Sequence, residues 1–227
     1  PTIAIVDPAF VLTVPASVTA DTGMDVLTHA VEAYTSTLAN DYTDGLALQA
    51  IKLVFENLES SVKNADFESR EKMHNASTMA GMAFANAFLG MSHSMAHKIG
   101  GFFHTVHGRT NAILLPYVIR YNGTRPAKAA TWPKYNYYKA DVKFQDIAKM
   151  LGLPASTPEE AVDALAKAVY DLGVRVGIDM SIKGQGVDEK EYMDTVEEIA
   201  YLAYEDQCSP ANPRLPMVAD MVEILQD

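Results

Sequence analysis

Apolar side chains recur at every third or fourth position along nearly the whole of this chain. A chain patterned in that way can bury its apolar faces only by packing helix on helix. Residues 22–38 place Val26, Leu27, Ala30, Val31 and Tyr34 on one face. A second helix, capped by Asp44 or Thr43, carries Leu46, Leu48, Ile51, Leu53, Val54 and Leu58. Residues 69–89 hold Ala76, Ala80, Gly81, Ala83, Ala85 and Ala87, small side chains that let helix axes approach closely, so this is expected to be a central helix, ended by Gly90. Shorter helices follow over 92–103, closed by Gly100-Gly101, and over 108–121, stopped by Asn122-Gly123. Residues 124–141 read as the longest irregular stretch. Beyond them come helices over 144–151, from the capping box Thr157-Pro158-Glu159-Glu160 to Gly173, from Asp188 to about 205, and from Pro216 onward. The expected class is mainly α, in one helical domain.

The exception lies at the start. Ile3-Ala4-Ile5-Val6, followed by Asp7-Pro8, reads as a strand and a turn. Its only nearby partner, Val11-Leu12-Thr13-Val14, is too short to build a sheet with it. Either the strand pairs with residues upstream, which is the favoured reading, or it lies extended on the surface.

Bulk composition excludes several functions. No apolar run approaches the roughly 20 residues of a membrane span. The net charge of −11 comes with no basic cluster, against a nucleic-acid or anionic-membrane partner. One cysteine, Cys208, rules out a disulfide framework and a Cys-rich zinc site. A cytoplasmic location fits all of this.

The chemistry concentrates in the histidines. Of the 6 in the chain, His93, His97, His104 and His107 fall within 93–107. His93 and His97 are four apart and share one helix face. Asp25 and His29 repeat that spacing on the first helix, where an exposed ion pair is the commoner meaning. Asp21, Glu32 and Asp44 read as caps or solvated faces. One carboxylate with several imidazoles suits a mononuclear site for Fe2+, Zn2+, Mn2+, Co2+ or Ni2+, and spacing alone does not choose which three histidines bind. His-Glu-x-x-His and Gly-x-Ser-x-Gly are both absent, which leaves Lewis-acid chemistry with a partner cofactor open.

Three motifs in order, Asp25-x-x-x-His29-Ala30-x-Glu32-Ala33-Tyr34, His93-x-x-Ala96-His97-x-x-Gly100 and His107-Gly108-x-x-Asn111-Ala112-Ile113-Leu114-Leu115-Pro116, resemble the signatures of the iron-containing (group III) alcohol dehydrogenases. Further stretches, among them Tyr204-Glu205-Asp206-Gln207-Cys208 and Ala211-Asn212-Pro213-Arg214, are most similar to the alcohol dehydrogenase part of bifunctional aldehyde–alcohol dehydrogenases. The resemblance implies the helical metal-binding domain of the dehydroquinate synthase-like fold. It implies that Asp25, His29, His93 and His107 hold one divalent metal, Fe2+ with Zn2+ possible. It places His97 beside the nicotinamide of NAD, where it assists proton transfer, and gives His104 and His74 no metal role. Where the family often has Pro before the last ligand, this chain has Val106.

The family's Gly-rich phosphate loop has no counterpart here, since Gly184-Gln185-Gly186 fails the Gly-x-Gly-x-x-Gly pattern. Residues 1–15 are therefore expected to be the remnant of an N-terminal dinucleotide-binding domain, and 16–227 the metal-binding catalytic domain. The implied reaction interconverts a short-chain aldehyde and a primary alcohol with NAD(H) held by the full-length protein, the metal acting as a Lewis acid. On this reading the chain alone is inactive. Implied partners are the small aldehyde or alcohol, the upstream nucleotide-binding domain, and further copies in a homo-oligomer or filament. Two alternatives stand beside it: a zinc-dependent glycerol dehydrogenase-like enzyme, and a non-catalytic, metal-stapled helical assembly module.

Overall fold

The structure is a computed structural model that describes residues 2–126 and 138–227. Among these residues every regular element is helical. A single 3-10 turn, Pro8–Val11, precedes α1 (Ala16–Thr35), α2 (Asp41–Lys63), α3 (Phe67–Ala87), α4 (Met91–Phe103) and α5 (His107–Gly123). After these come α6 (Ala140–Met150), α7 (Pro158–Arg175), α8 (Glu189–Tyr204) and α9 (Val218–Gln226). The irregular stretch expected at 124–141 falls mostly on 127–137, outside the described residues. No helix among the described residues is long and apolar enough to cross a membrane.

The expected strand at residues 3–6 does not form: the segment has no regular structure, and Ile3 and Ile5 are exposed. A strand needs a neighbour for its backbone groups, and none stands beside this one among the described residues. The following Val11 to Val14 stretch is turn rather than strand. Buried Arg70 of α3 holds it down, its Nη1 and Nη2 donating to the carbonyls of Val11 (2.9 Å) and Val14 (3.0 Å).

Helix ends follow local chemistry, with some shifts from expectation. Asn40, not Thr43 or Asp44, caps α2: its side-chain oxygen accepts from the backbone of Tyr42 and Thr43, and Thr43 Oγ1 accepts from Asn40 N. Asp66, Thr157 and Asp188 cap α3, α7 and α8. The α3 helix stops at Phe88, whose φ is 65°, before Gly90 is reached. Gly100 and Gly101 lie inside α4, which closes instead at His104 in the left-handed region. The final helix starts two residues later than Pro216 suggests.

Two apolar clusters organise the packing. In the larger, α1, α2 and α3 pack on one another through Met24, Leu27, Ile51, Leu58, Ala76 and Ala80, and it extends to α6 and α7. The smaller joins α4, α8 and α9 around Met91, Met95, Ile99, Val196 and Met221. Helix α5 serves both. Ala112, Leu115 and Ile119 face the first cluster, while Leu114 and Val118, on another face of the same helix, enter the second. The candidate site lies on this seam.

Candidate metal centre

Each half of the molecule contributes side chains to one point. On α1, Asp25 and His29 share a face, with His29 Nδ1 3.8 Å from Asp25 Oδ2. The first turn of α4 brings His93, whose Nε2 stands 3.6 Å from Asp25 Oδ1. The first residue of α5, His107, sets its Nε2 3.5 Å from the same oxygen. The rings of His29 and His93 stack at 4.5 Å, and His93 and His107 lie 5.4 Å apart. Asp25, His29 and His93 form a compact group whose ligand atoms lie within 4.8 Å of one another. His107 is not in that group and approaches it through Asp25. His97, one turn beyond His93, stacks on His107 at 5.4 Å. His104 is exposed and away from this group, whereas His74 borders a cavity of about 420 Å³ that also opens on Asp25 and His29.

The carboxylates taken from sequence as caps or solvated faces do other work. Glu32 is 3% exposed. Its Oε2 is 2.6 Å from His93 Nδ1, and its Oε1 accepts from the backbone N–H of Ser92 at 2.7 Å. One buried carboxylate thus closes a free N–H at the start of α4 and turns the His93 ring so that Nε2 faces Asp25. A Cβ at Gly90 would meet Asn212 Oδ1 at 2.7 Å and Glu32 Oε1 at 3.0 Å, so glycine there makes room for this cap. Asp21 is also buried and binds Arg109 of α5 through two hydrogen bonds of 2.9 and 3.0 Å. Asp44 pairs with Lys143 of α6 at 2.9 Å. A sequence signal for Glu32 existed: residues 25, 29 and 32 lie on one helical face. Asn111 had the same kind of signal, one turn after His107. Its Nδ2 donates to Asp25 Oδ1 at 2.9 Å and lies 3.1 Å from His107 Nε2.

The electrostatics favour a cation. Burial acts to raise the pKa of Asp25, but contact with His93 and the fields of His29 and His107 bring it down to about 2. Burial, then the charge of His93, lowers His29 to about 4. Burial is likewise the main cause that lowers His107. For His93 burial acts downward too, yet Glu32 and Asp25 more than reverse it and hold the ring at about 9. His93 Nε2 is a buried polar atom with no hydrogen-bond partner among the described residues. An ionised carboxylate, a neutral imidazole and an orphaned ring nitrogen at one point fit a divalent transition ion bound by nitrogen and oxygen.

A second group of ligand type, His97, Asp206 and Cys208, also has its atoms within 4.8 Å. It suits a metal poorly. The Lys98 ammonium is 2.8 Å from Asp206 Oδ2, and burial together with Asp206 pushes the Cys208 thiol up to about 12.

A sequence model of the Fe-containing alcohol dehydrogenase family, C-terminal, matches residues 19–227. The chain belongs to this family. An aldehyde-alcohol dehydrogenase of Streptococcus pneumoniae is 79% identical over 227 residues, which is 100% of the chain and 26% of that relative. Among solved structures, a 1,3-propanediol oxidoreductase superposes with a TM-score of 0.86 at 37% identity, covering 97% of this chain and 54% of that one. A sulfoacetaldehyde reductase from Bifidobacterium kashiwanohense, in complex with NAD+, superposes with a TM-score of 0.80 at 29% identity, covering 100% and 54%. The chain therefore spans about a quarter of the length of that curated relative. One departure from the family's motif has a local use: Val106 keeps a backbone N–H that donates to Gln185 Oε1 at 3.0 Å, which a proline could not do.

Proposed function

We propose that this chain is the metal-holding and proton-handling part of an alcohol dehydrogenase. The reaction is the interconversion of a short-chain aldehyde and a primary alcohol with NAD(H). The reading is carried by the convergence of Asp25, His29 and His93 around the orphaned Nε2 of His93. Asp25, His29, His93 and His107 would hold the ion, Fe2+ in the first place. When bound there, a divalent ion supplies Lewis acidity toward the substrate oxygen. The dinucleotide is assigned to a further part of the protein, as the greater length of the relatives allows.

The side chains divide the remaining work. At neutral pH Asp25 is ionised and His29 neutral, the states in which each donates a lone pair. Glu32 keeps Nδ1 of His93 occupied, so only Nε2 is offered to the site. His97 stands one turn away, half-buried and stacked on His107, where a ring can reach both the site and solvent. It would take the hydroxyl proton of the alcohol in the oxidation direction and return a proton to the aldehyde oxygen in the reduction direction. The experiment is metal analysis of the whole protein, purified anaerobically, with and without Asp25→Ala, together with NADH-dependent reduction of acetaldehyde before and after chelation. One ion per chain, lost in the variant, and reduction abolished by the chelator are expected. Reduction indifferent to chelation would overturn the reading.

A further inference from the structure

His97 is not held by its own helix alone. Its Nδ1 lies 3.3 Å from Oδ2 of Asp206, in the segment between α8 and α9. That carboxylate is itself pinned. Its Oδ1 accepts from the backbone N–H of Cys208 at 3.0 Å, and Lys98 Nζ sits 2.8 Å from Oδ2. Asp206 is 9% exposed, so few other arrangements are open to it. We propose that Asp206 is a positioning residue that fixes His97 as its Nδ1–H tautomer, leaving Nε2 as the nitrogen that takes and returns the proton. The inference rests on the part given to His97 above.

The chemistry is one of donors and acceptors. An ionised carboxylate can only accept, so the imidazole nitrogen facing it carries the hydrogen. Burial acts to raise the pKa of Asp206, but Lys98 and the Cys208 N–H outweigh it and keep the group ionised. The ring is then set by two contacts. Asp206 fixes its edge, and the near-parallel stack on His107, 14° between planes, fixes its face. Asp206 lies 109 residues from His97 in sequence, so nothing local announces the pair.

The variant Asp206→Asn turns the argument into a switch. Its amide oxygen stays with the Cys208 N–H, its NH2 group takes the place of Oδ2 and donates to His97 Nδ1, and the partly exposed Lys98 ammonium, left without an acceptor there, swings to solvent. The tautomer should invert to Nε2–H. The ring nitrogens can be read directly by NMR of 15N-histidine-labelled, zinc-loaded protein, with His97→Gln identifying the resonances. Nδ1–H in the parent and Nε2–H in Asp206→Asn are expected. Metal content should be unchanged, KM should stay within about twofold, and kcat should fall roughly 10- to 100-fold, a part of the about 10²- to 10⁴-fold that a positioned general base contributes. Nε2–H in the parent protein, a spectrum that needs no variant, would overturn the proposal, as would an unchanged tautomer in Asp206→Asn. An inverted tautomer with unchanged kcat would instead uphold the positioning and remove His97 from the reaction, which is the failure of the earlier reading.

Discussion

His93 stands between two carboxylates, Glu32 at Nδ1 and Asp25 beyond Nε2, and its raised pKa follows from that position. Before an ion arrives, the ring at pH 7 is below its value of about 9 and carries a proton. Metal uptake at the proposed site would displace that proton. Affinity should therefore rise about tenfold per pH unit up to about 9, with roughly one proton released per ion at pH 7. Calorimetry in two buffers of different ionisation enthalpy measures this, and a heat independent of buffer would exclude it. In chelator-treated protein the same raised pKa contributes stability below the unfolded value of 6.5, lost as pH rises through about 9. Single substitutions separate the roles. Asp25→Ala and His93→Ala should lose stoichiometric metal, whereas His97→Ala should keep metal and lose rate. Glu32→Gln retains the shape but frees Nδ1 from a charged acceptor, and should weaken metal binding about 10- to 100-fold in a chelator competition. Of these residues, Asp25, His29, His93, His97 and His107 could be named from spacing and resemblance. Glu32 could not be given its role, because its partner lies 61 residues away.

At the scale of elements, helix positions were legible because they depend on neighbours three and four residues off. The ends were less so. The start of α4 has no local cap. Its first two N–H groups are met by Asn212 and Glu32, 121 and 60 residues distant, and a sequence scan for capping residues cannot see either. Glycines show the same limit. Gly90 read as the end of α3, but it is the space into which Glu32 and Asn212 reach. Gly108 is tighter still. A Cβ there would come within 2.3 Å of the Asp21 carbonyl oxygen and 3.1 Å of Asp25 Cβ. Backbone cannot yield as a side-chain tip can, so Gly108→Ala should push α5 away from α1, carrying His107 from Asp25. A loss of about 1–3 kcal/mol in urea unfolding is expected, with weaker metal binding. Full stability with full metal occupancy would contradict the close approach.

At the scale of the molecule, the centre lies across two apolar clusters. Asp25 and His29 belong to a helix of one, and His93 to a helix of the other. An ion held by both halves binds the folded arrangement and not the unfolded chain, so it should act as a staple. At a free concentration near 100 times its dissociation constant it adds about 2.7 kcal/mol. That corresponds to a melting temperature higher by roughly 5–10 °C for a domain of this size. Differential scanning calorimetry with and without chelator measures the shift, and Asp25→Ala should abolish it. A melting temperature unchanged by chelation in the parent protein would mean that no ion bridges the halves.

The sequence by itself determined the helical class, the order of the helices and the identities of the residues offered for chemistry, since each of these depends on periodicity or on spacing within a few turns. It could also show that Asp25 and His29, or His93 and His97, share a face. Tertiary structure alone decided which faces meet. It decided that residues 3–6 find no strand partner among the described residues, that Glu32 is buried against His93 rather than solvated, and that Asp206 closes on His97. The physical reason is common to all three: a buried charge or an unpaired backbone is settled by partners far away in the chain, and these arrive only when the helices pack.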